Sequence, residues 1–206
     1  MDLIVVSSPG KKDGEIGDVI RMFEAGLQRF HLRKPGSSRK YIKEFLDQVP
    51  KKYRSRIIIH SNHSFAWKYK LGGIHISKKH RKKPTNLRLK LMWYRMRNPK
   101  MIITRSCRKL GDLEMKKSPY NYVILSPIFD SISINSLSGG FNQRGLISAL
   151  EKSKFPVYAM GGVEPGNFQR IAELGFRGPA VLGYIWSSEN PVEAFTKCLQ
   201  SLREVQ

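Results

Sequence analysis

The sequence predicts a closed (β/α)8 TIM barrel, a compact single domain over residues 1–206. Three observations carry this reading. Apolar strand-like runs alternate with helix-like segments at a period of roughly 25 residues, the length of one βα unit. Eight such runs can be counted, and no linker or composition break divides them. Two successive strands near the end, the second following the first by one short helix, each stop at glycine: Val157-Tyr158-Ala159-Met160 before Gly161-Gly162, and Gly178-Pro179-Ala180-Val181-Leu182, ending at Gly183-Tyr184-Ile185.

The elements follow in order. Residues 3–7 are an apolar first strand, and residues 19–25 a short amphipathic helix closed by Gly26. Residues 29–32 form the second strand, ending at Arg33-Lys34-Pro35-Gly36. Ser37 or Ser38 caps the next helix, which carries Tyr41, Ile42, Phe45, Leu46 and Val49 at helical spacing. Residues 57–60 are the third strand, 62–71 a helix ended by Gly72-Gly73, and 74–76 a short fourth strand. A basic helix spans residues 87–96, and residues 101–104 are the fifth strand, ending in Arg105-Ser106. Residues 107–117 are read as a helix, 122–125 as the sixth strand, and 128–141 as a long Ser/Asn/Gly-rich loop over a site. Helices at 144–153, 168–175 and 191–203 complete the pattern around the seventh and eighth strands.

Composition narrows the class. At 40% apolar residues the chain can bury a core, and it holds no run of 18 apolar residues, so no membrane span or membrane partner is expected. The N-terminus passes directly into a strand pattern without a basic leader. Cys107 and Cys198 are read as free thiols in a reducing, cytoplasmic setting. With 37 Lys+Arg against 16 Asp+Glu, the net charge of +21 favours anionic ligands and allows nucleic acid as a partner. A homodimer is allowed.

Barrel active sites lie at the carboxyl ends of the strands. Those ends hold Arg33 and Lys34, His60, Ser77, Arg105 and Ser106, Ser126, Gly161 and Gly162, and Gly183 and Tyr184. Glycine at a strand end lets backbone N–H groups approach a ligand closely, and two such ends in succession suit a phosphate. His60, at the end of its strand, is a candidate general acid/base, with a hydrogen-bonded structural histidine as the alternative. His75 lies between Ile74 and Ile76 and is read as packed and hydrogen-bonded. The run Lys78-Lys79-His80-Arg81-Lys82-Lys83 falls at the mouth, where its cations could balance an anionic substrate or simply stand in water. No catalytic triad, P-loop or zinc spacing is present.

Several stretches resemble thiamin phosphate synthase and its relative, the thiazole tautomerase. They are His31-Leu32-Arg33, residues 57–76 with Ala66, Gly73, Ile74 and His75, then Ser106, Ser126-Pro127-Ile128-Phe129, and Tyr158 to Val163 with Asn167 and Gly175. The resemblance implies an enzyme of thiamin biosynthesis that joins an aminopyrimidine diphosphate to a thiazole phosphate and releases pyrophosphate. Its ligands would be phosphorylated small molecules. Arg33, Lys34 and His60 are the catalytic candidates. His31, Ser106, Ser126, Ser131 and Ser133 are the substrate-binding candidates. Gly161, Gly162, Gly183 and Tyr184 would hold the thiazole phosphate through backbone N–H groups. The resemblance also brings Mg²⁺, but its ligands are not evident here. The positions of the family's metal-binding acids fall on Ser61 and within Lys78-Lys79-His80, and no metal ligand is assigned. The loop lysine is lost beside Ser131 and Ser133, and the tautomerase histidine falls on Pro127. A metal-free tautomerase-like isomerase and a catalytically silent barrel that binds a phosphorylated ligand or nucleic acid are the alternative readings.

Overall fold

Ile4 pairs with Arg29 on one side and with Ala180 on the other, so the first strand closes a ring. The ring has eight parallel strands in sequence order. They are β1 (Ile4–Val6), β2 (Arg29–Leu32), β3 (Ile57–Ile59), β4 (Gly73–Ile76), β5 (Ile102–Cys107), β6 (Tyr122–Leu125), β7 (Val157–Met160) and β8 (Gly178–Val181). The helices outside it are α1 (Glu15–Glu24), α2 (Arg39–Gln48), α3 (Ser64–Lys68), α4 (Pro84–Arg97), α5 (Gln143–Lys152), α6 (Phe168–Glu173), α7 (Gly183–Trp186) and α8 (Pro191–Glu204). This computed structural model describes residues 1–78, 80, 84–114, 119–129, 137 and 141–205. Among them no helix is long and apolar enough to cross a membrane.

Strand side chains alternate between the barrel interior and the helix layer. Outward-facing Val5, Ile57, Ile59, Ile74, Ile76, Val123 and Leu125 join the helices in one large core. Inward, the two halves of the ring differ. Ile4, Val6, Tyr122, Ile124, Tyr158 and Ala180 form a separate apolar plug on the side of β1 and β6–β8. The buried residues of opposite parity on β2, β4 and β5 are His31, His75 and Thr104, all polar. Ile58 of β3, level with His31, is buried and apolar, and Ile102 of β5 packs on the plug, so this side of the interior mixes hydrogen-bonding and apolar side chains.

Local chemistry sets the helix ends. The Ser38 hydroxyl accepts the Tyr41 N–H at 3.1 Å, so Ser38 rather than Ser37 caps α2. Asn142 and Asn190 cap α5 and α8 in the same way. Three sequence expectations are corrected. The helix expected over residues 107–117 does not start at Cys107. Cys107 ends β5, because Ile103, Arg105 and Cys107 alternate against Thr104 and Ser106, and only a 3₁₀ turn follows at Leu110–Leu113. The helix expected over 62–71 is reduced to α3, flanked by the left-handed residues Asn62 and Lys70. Gly183, Tyr184 and Ile185, read as a strand end, form the short helix α7. The long loop over 128–141 lies mostly outside the described residues, apart from an antiparallel bridge between Phe129 and Leu137.

Candidate active site

The carboxyl ends of β2 to β5 surround a cavity of about 680 Å³. Arg33, Lys78, Arg108 and Lys109 bring four cations to its wall. His60, His75, Ser77 and Ser106 also face it, and Asp112 is its one carboxylate among the described lining residues. The entrance is held by Ser7, whose hydroxyl donates to the Arg33 carbonyl at 2.9 Å and accepts the Arg33 N–H at 2.8 Å. Asp112 already receives a hydrogen bond from the Arg105 guanidinium at 2.8 Å.

Histidines form the floor. His31 Nδ1 lies 2.9 Å from His60 Nε2, and His31 Nε2 lies 2.6 Å from the Tyr122 hydroxyl. His75 Nδ1 is 2.8 Å from Thr104 Oγ1, and its Nε2 is 2.9 Å from Ser106 Oγ. The rings of His60 and His75 stack at 3.9 Å with 8° between their planes. Burial holds His31 and His60 well below the ordinary histidine range, helped by His75 in both cases and by Arg33 for His60. His63 donates from Nε2 to the His75 carbonyl at 3.1 Å, and burial lowers it to about 4. At neutral pH His31, His60 and His63 are therefore uncharged hydrogen-bonding groups.

The same residues decide what metal the floor could take. One ring nitrogen from each of His31, His60 and His75 lies within 4.8 Å of the others. Mg²⁺ demands oxygen ligands in octahedral array, and this set is nitrogen. Parallel stacking of His60 and His75 also leaves their lone pairs side by side rather than converging. Both nitrogens of His31 and of His75 are already engaged. With Asp112 paired to Arg105, the described residues do not fit Mg²⁺.

A second cavity, of about 460 Å³, opens at the ends of β7 and β8. Gly161, Gly162, Gly183, Tyr184, Glu164 and Ser187 line it. Gly161 and Gly162 have φ of 94° and 62°. A Cβ at Gly161 would come within 2.9 Å of Pro127 Cα, and one at Gly162 within 2.7 Å of the Phe129 carbonyl. These glycines are thus required twice, by their own backbone and by the segment after β6 packed against them. The contact is locked by the Phe129 N–H donating to the Gly161 carbonyl at 3.1 Å. Buried Asn167 donates from Nδ2 to the Gly162 carbonyl at 2.7 Å and accepts the Glu164 N–H. Gly183 is different: a Cβ there would meet nothing within 4 Å.

The sequence pattern of thiamine monophosphate synthases matches residues 3–185. The chain belongs to the thiamine monophosphate synthase family. A thiamine phosphate pyrophosphorylase structure from Bacteroides thetaiotaomicron superposes with a TM-score of 0.78 at 28% identity, covering 100% of this chain and 99% of that one. One from Pyrococcus furiosus superposes at 0.77 over 99% and 96% of the two chains, with 19% identity, and supports the fold. A thiamine-phosphate synthase from Prochlorococcus marinus is 27% identical over 161 residues, 77% of this chain and 44% of that protein. One from Flavobacterium psychrophilum is 33% identical over 87 residues, 40% and 42% of the respective chains. The matched chain thus spans less than half the length of these two curated relatives.

Within this barrel, the residues singled out from sequence separate into groups. Arg33, His60 and Ser106 come together at the first cavity, and Gly161, Gly162, Gly183 and Tyr184 at the second. His31 is fully buried and reaches the mouth only through His60. Lys34 is not presented to the mouth. Its ammonium is buried against the Glu15 carboxylate and donates to the Gly10 carbonyl at 2.7 Å. Ser126 is half-buried after β6, its N–H bonded to the Cys107 carbonyl at 3.1 Å. Ser131 and Ser133 lie outside the described residues, as do Lys79 and residues 81–83 of the basic run.

Sequence reasoning missed Tyr122, Arg108, Lys109 and Asp112. Tyr122 was legible in principle, since inward parity on β6 places it level with the histidines. The others sit on a turn whose direction only the fold defines.

Proposed function

We propose that this protein is a transferase that joins an aminopyrimidine diphosphate to a thiazole phosphate, forming thiamin phosphate and pyrophosphate. The observation that carries this reading is the pair of cavities on one barrel face: a cationic one at β2–β5 and a glycine-lined one at β7–β8. The first suits the diphosphate, with Arg33 as a guanidinium fork for phosphate oxygens. The second suits the single phosphate of the thiazole, with the amides of Gly161, Gly162 and Gly183 and the Tyr184 backbone as donors.

The chemistry balances without a base. The bond from the pyrimidine methylene to the diphosphate oxygen breaks, and its electron pair leaves with pyrophosphate. The lone pair of the thiazole nitrogen forms the new C–N bond, and that nitrogen keeps the positive charge. No proton need be removed. His60 is then a neutral hydrogen-bonding partner for the aminopyrimidine, oriented by His31 and Tyr122 beneath it, rather than a general base. Ser106, held by His75, offers a hydroxyl beside it. The fixed hydrogen-bonding dipoles of this floor stabilise the leaving anion and the pyrimidine cation as they separate.

The test is direct. Purified protein is given both substrates, and thiamin phosphate is followed by chromatography after oxidation to its fluorescent derivative. Product at turnover above the uncatalysed reaction supports the reading. No product, with or without divalent cation, overturns it.

A further inference from the structure

The 64 residues from Gln48 to Gly111 contain 19 Lys and Arg and not one Asp or Glu. Outside that arc the chain holds 18 basic and 16 acidic residues, so almost the whole net charge comes from β3, α3, β4, α4 and β5 with their loops. Just after the carboxyl ends of β4 and β5, Lys78, Arg108 and Lys109 face the first cavity, with Arg33 joining them from β2. All four are exposed. Asp112, the carboxylate of the wall, is offset by Arg105, whose side chain is only 6% exposed.

A catalytic divalent cation on a diphosphate does one main job here: it neutralises charge that grows as the leaving group departs. Four fixed cations can do the same job. An ammonium supplies a compact positive charge, and a guanidinium supplies paired N–H donors that match phosphate oxygens. They would also oppose a metal, because a doubly charged ion entering beside them meets repulsion, and the one carboxylate among the described lining residues, Asp112, is paired with Arg105.

We propose that this mouth binds the diphosphate of the substrate, and the pyrophosphate product, through Arg33, Lys78, Arg108 and Lys109 without a divalent cation. The identity of the leaving group rests on the transferase reading above. The cradle itself is a statement about binding and can be measured alone.

The experiment is calorimetric titration of the full-length protein with inorganic pyrophosphate, once in excess EDTA and once in millimolar Mg²⁺. We expect saturable binding in EDTA that Mg²⁺ does not strengthen. The Lys78→Gln variant and the Arg108→Gln/Lys109→Gln double variant should each weaken it by at least about tenfold, the scale of a lost charged hydrogen bond. A distant exposed change, Lys152→Gln on α5, should leave it unaltered. Unchanged melting temperatures would show that the variants fold. Binding that needs Mg²⁺, or binding in EDTA that survives loss of the mouth cations, overturns the proposal. The two readings fail separately. Pyrophosphate bound in EDTA with no thiamin phosphate formed would sink the transferase and keep the cradle. Turnover that requires Mg²⁺ would do the reverse.

Discussion

His31 and His60 share a hydrogen bond of 2.9 Å between neighbouring strands, with Tyr122 holding the other His31 nitrogen at 2.6 Å. Three side chains from β2, β6 and the end of β3 thus form one chain from the barrel interior to the mouth. Each link orients the next, and only His60 reaches the cavity.

Removing the deepest link tests that order. Tyr122→Phe keeps the ring and strips the hydroxyl, leaving His31 Nε2 buried without its partner. We expect a loss of about 1–3 kcal/mol of stability in urea unfolding, the cost of an orphaned buried polar group. We also expect a raised KM for the pyrimidine substrate with the KM for the thiazole phosphate unmoved, since His60 loses its support. Equal changes in both would show that Tyr122 acts only on overall packing.

The neutral histidines impose a pH dependence on stability. His63 is lowered to about 4, and His31 and His60 lie well below the ordinary value of 6.5. Above pH 6.5 the rings are neutral in both the folded and the unfolded chain, and their burial is uncontested. As pH falls below 6.5 the unfolded chain takes up protons first, so stability falls, by at most about 1.4 kcal/mol per pH unit for each ring. For His63 the loss continues down to about pH 4. Thermal melts between pH 7 and 4.5 should show a steady decline, smaller in a His63→Gln variant.

The glycine cavity can be probed at two positions with opposite structural consequences. Gly162→Val adds a side chain at φ 62° directly against the Phe129 carbonyl, so it should destabilise the protein as well as abolish thiazole phosphate binding. Gly183→Ala has room for its methyl group and should fold normally. If backbone amides at this corner hold the phosphate, the alanine should weaken thiazole phosphate by about tenfold, a loss of ~1.4 kcal/mol. Unchanged affinity in calorimetry would take Gly183 out of the site.

Lys34 and Glu15 form an ion pair with both side chains at most 1% exposed. Lys34→Ala strands a buried carboxylate and should cost about 3–5 kcal/mol. The double change Lys34→Met/Glu15→Leu removes both charges and should recover most of that stability. Recovered stability with retained turnover would show that Lys34 is structural. Normal stability with lost turnover in Lys34→Ala would return it to the catalytic set.

Strand order was legible because it rests on local signals. Apolar runs such as Ile57-Ile58-Ile59 and glycine stops such as Gly161-Gly162 announce βα units, and parallel units of this length close into a barrel whose strand ends are the active face. The seeming helix after β5 misled because Cys107 and Leu110 are apolar at helical spacing, while Ser106 and Cys107 still alternate as a strand. Lys34 misled for a related reason: position beside a strand end says nothing about which way a side chain turns. It turned to Glu15.

What the sequence by itself determined was the ring of eight units, the glycine corner and the excess of cations. Each depends on residue type and on spacing along the chain. Only the tertiary structure decided that His31, His60, His75 and Tyr122 meet, that Arg108 and Lys109 swing back to Arg33 and Lys78, and that Asp112 is matched by Arg105. These residues lie up to 91 positions apart. Their meeting is set by strand register and barrel closure, which bring inward-facing residues of the same layer together whatever their distance along the chain.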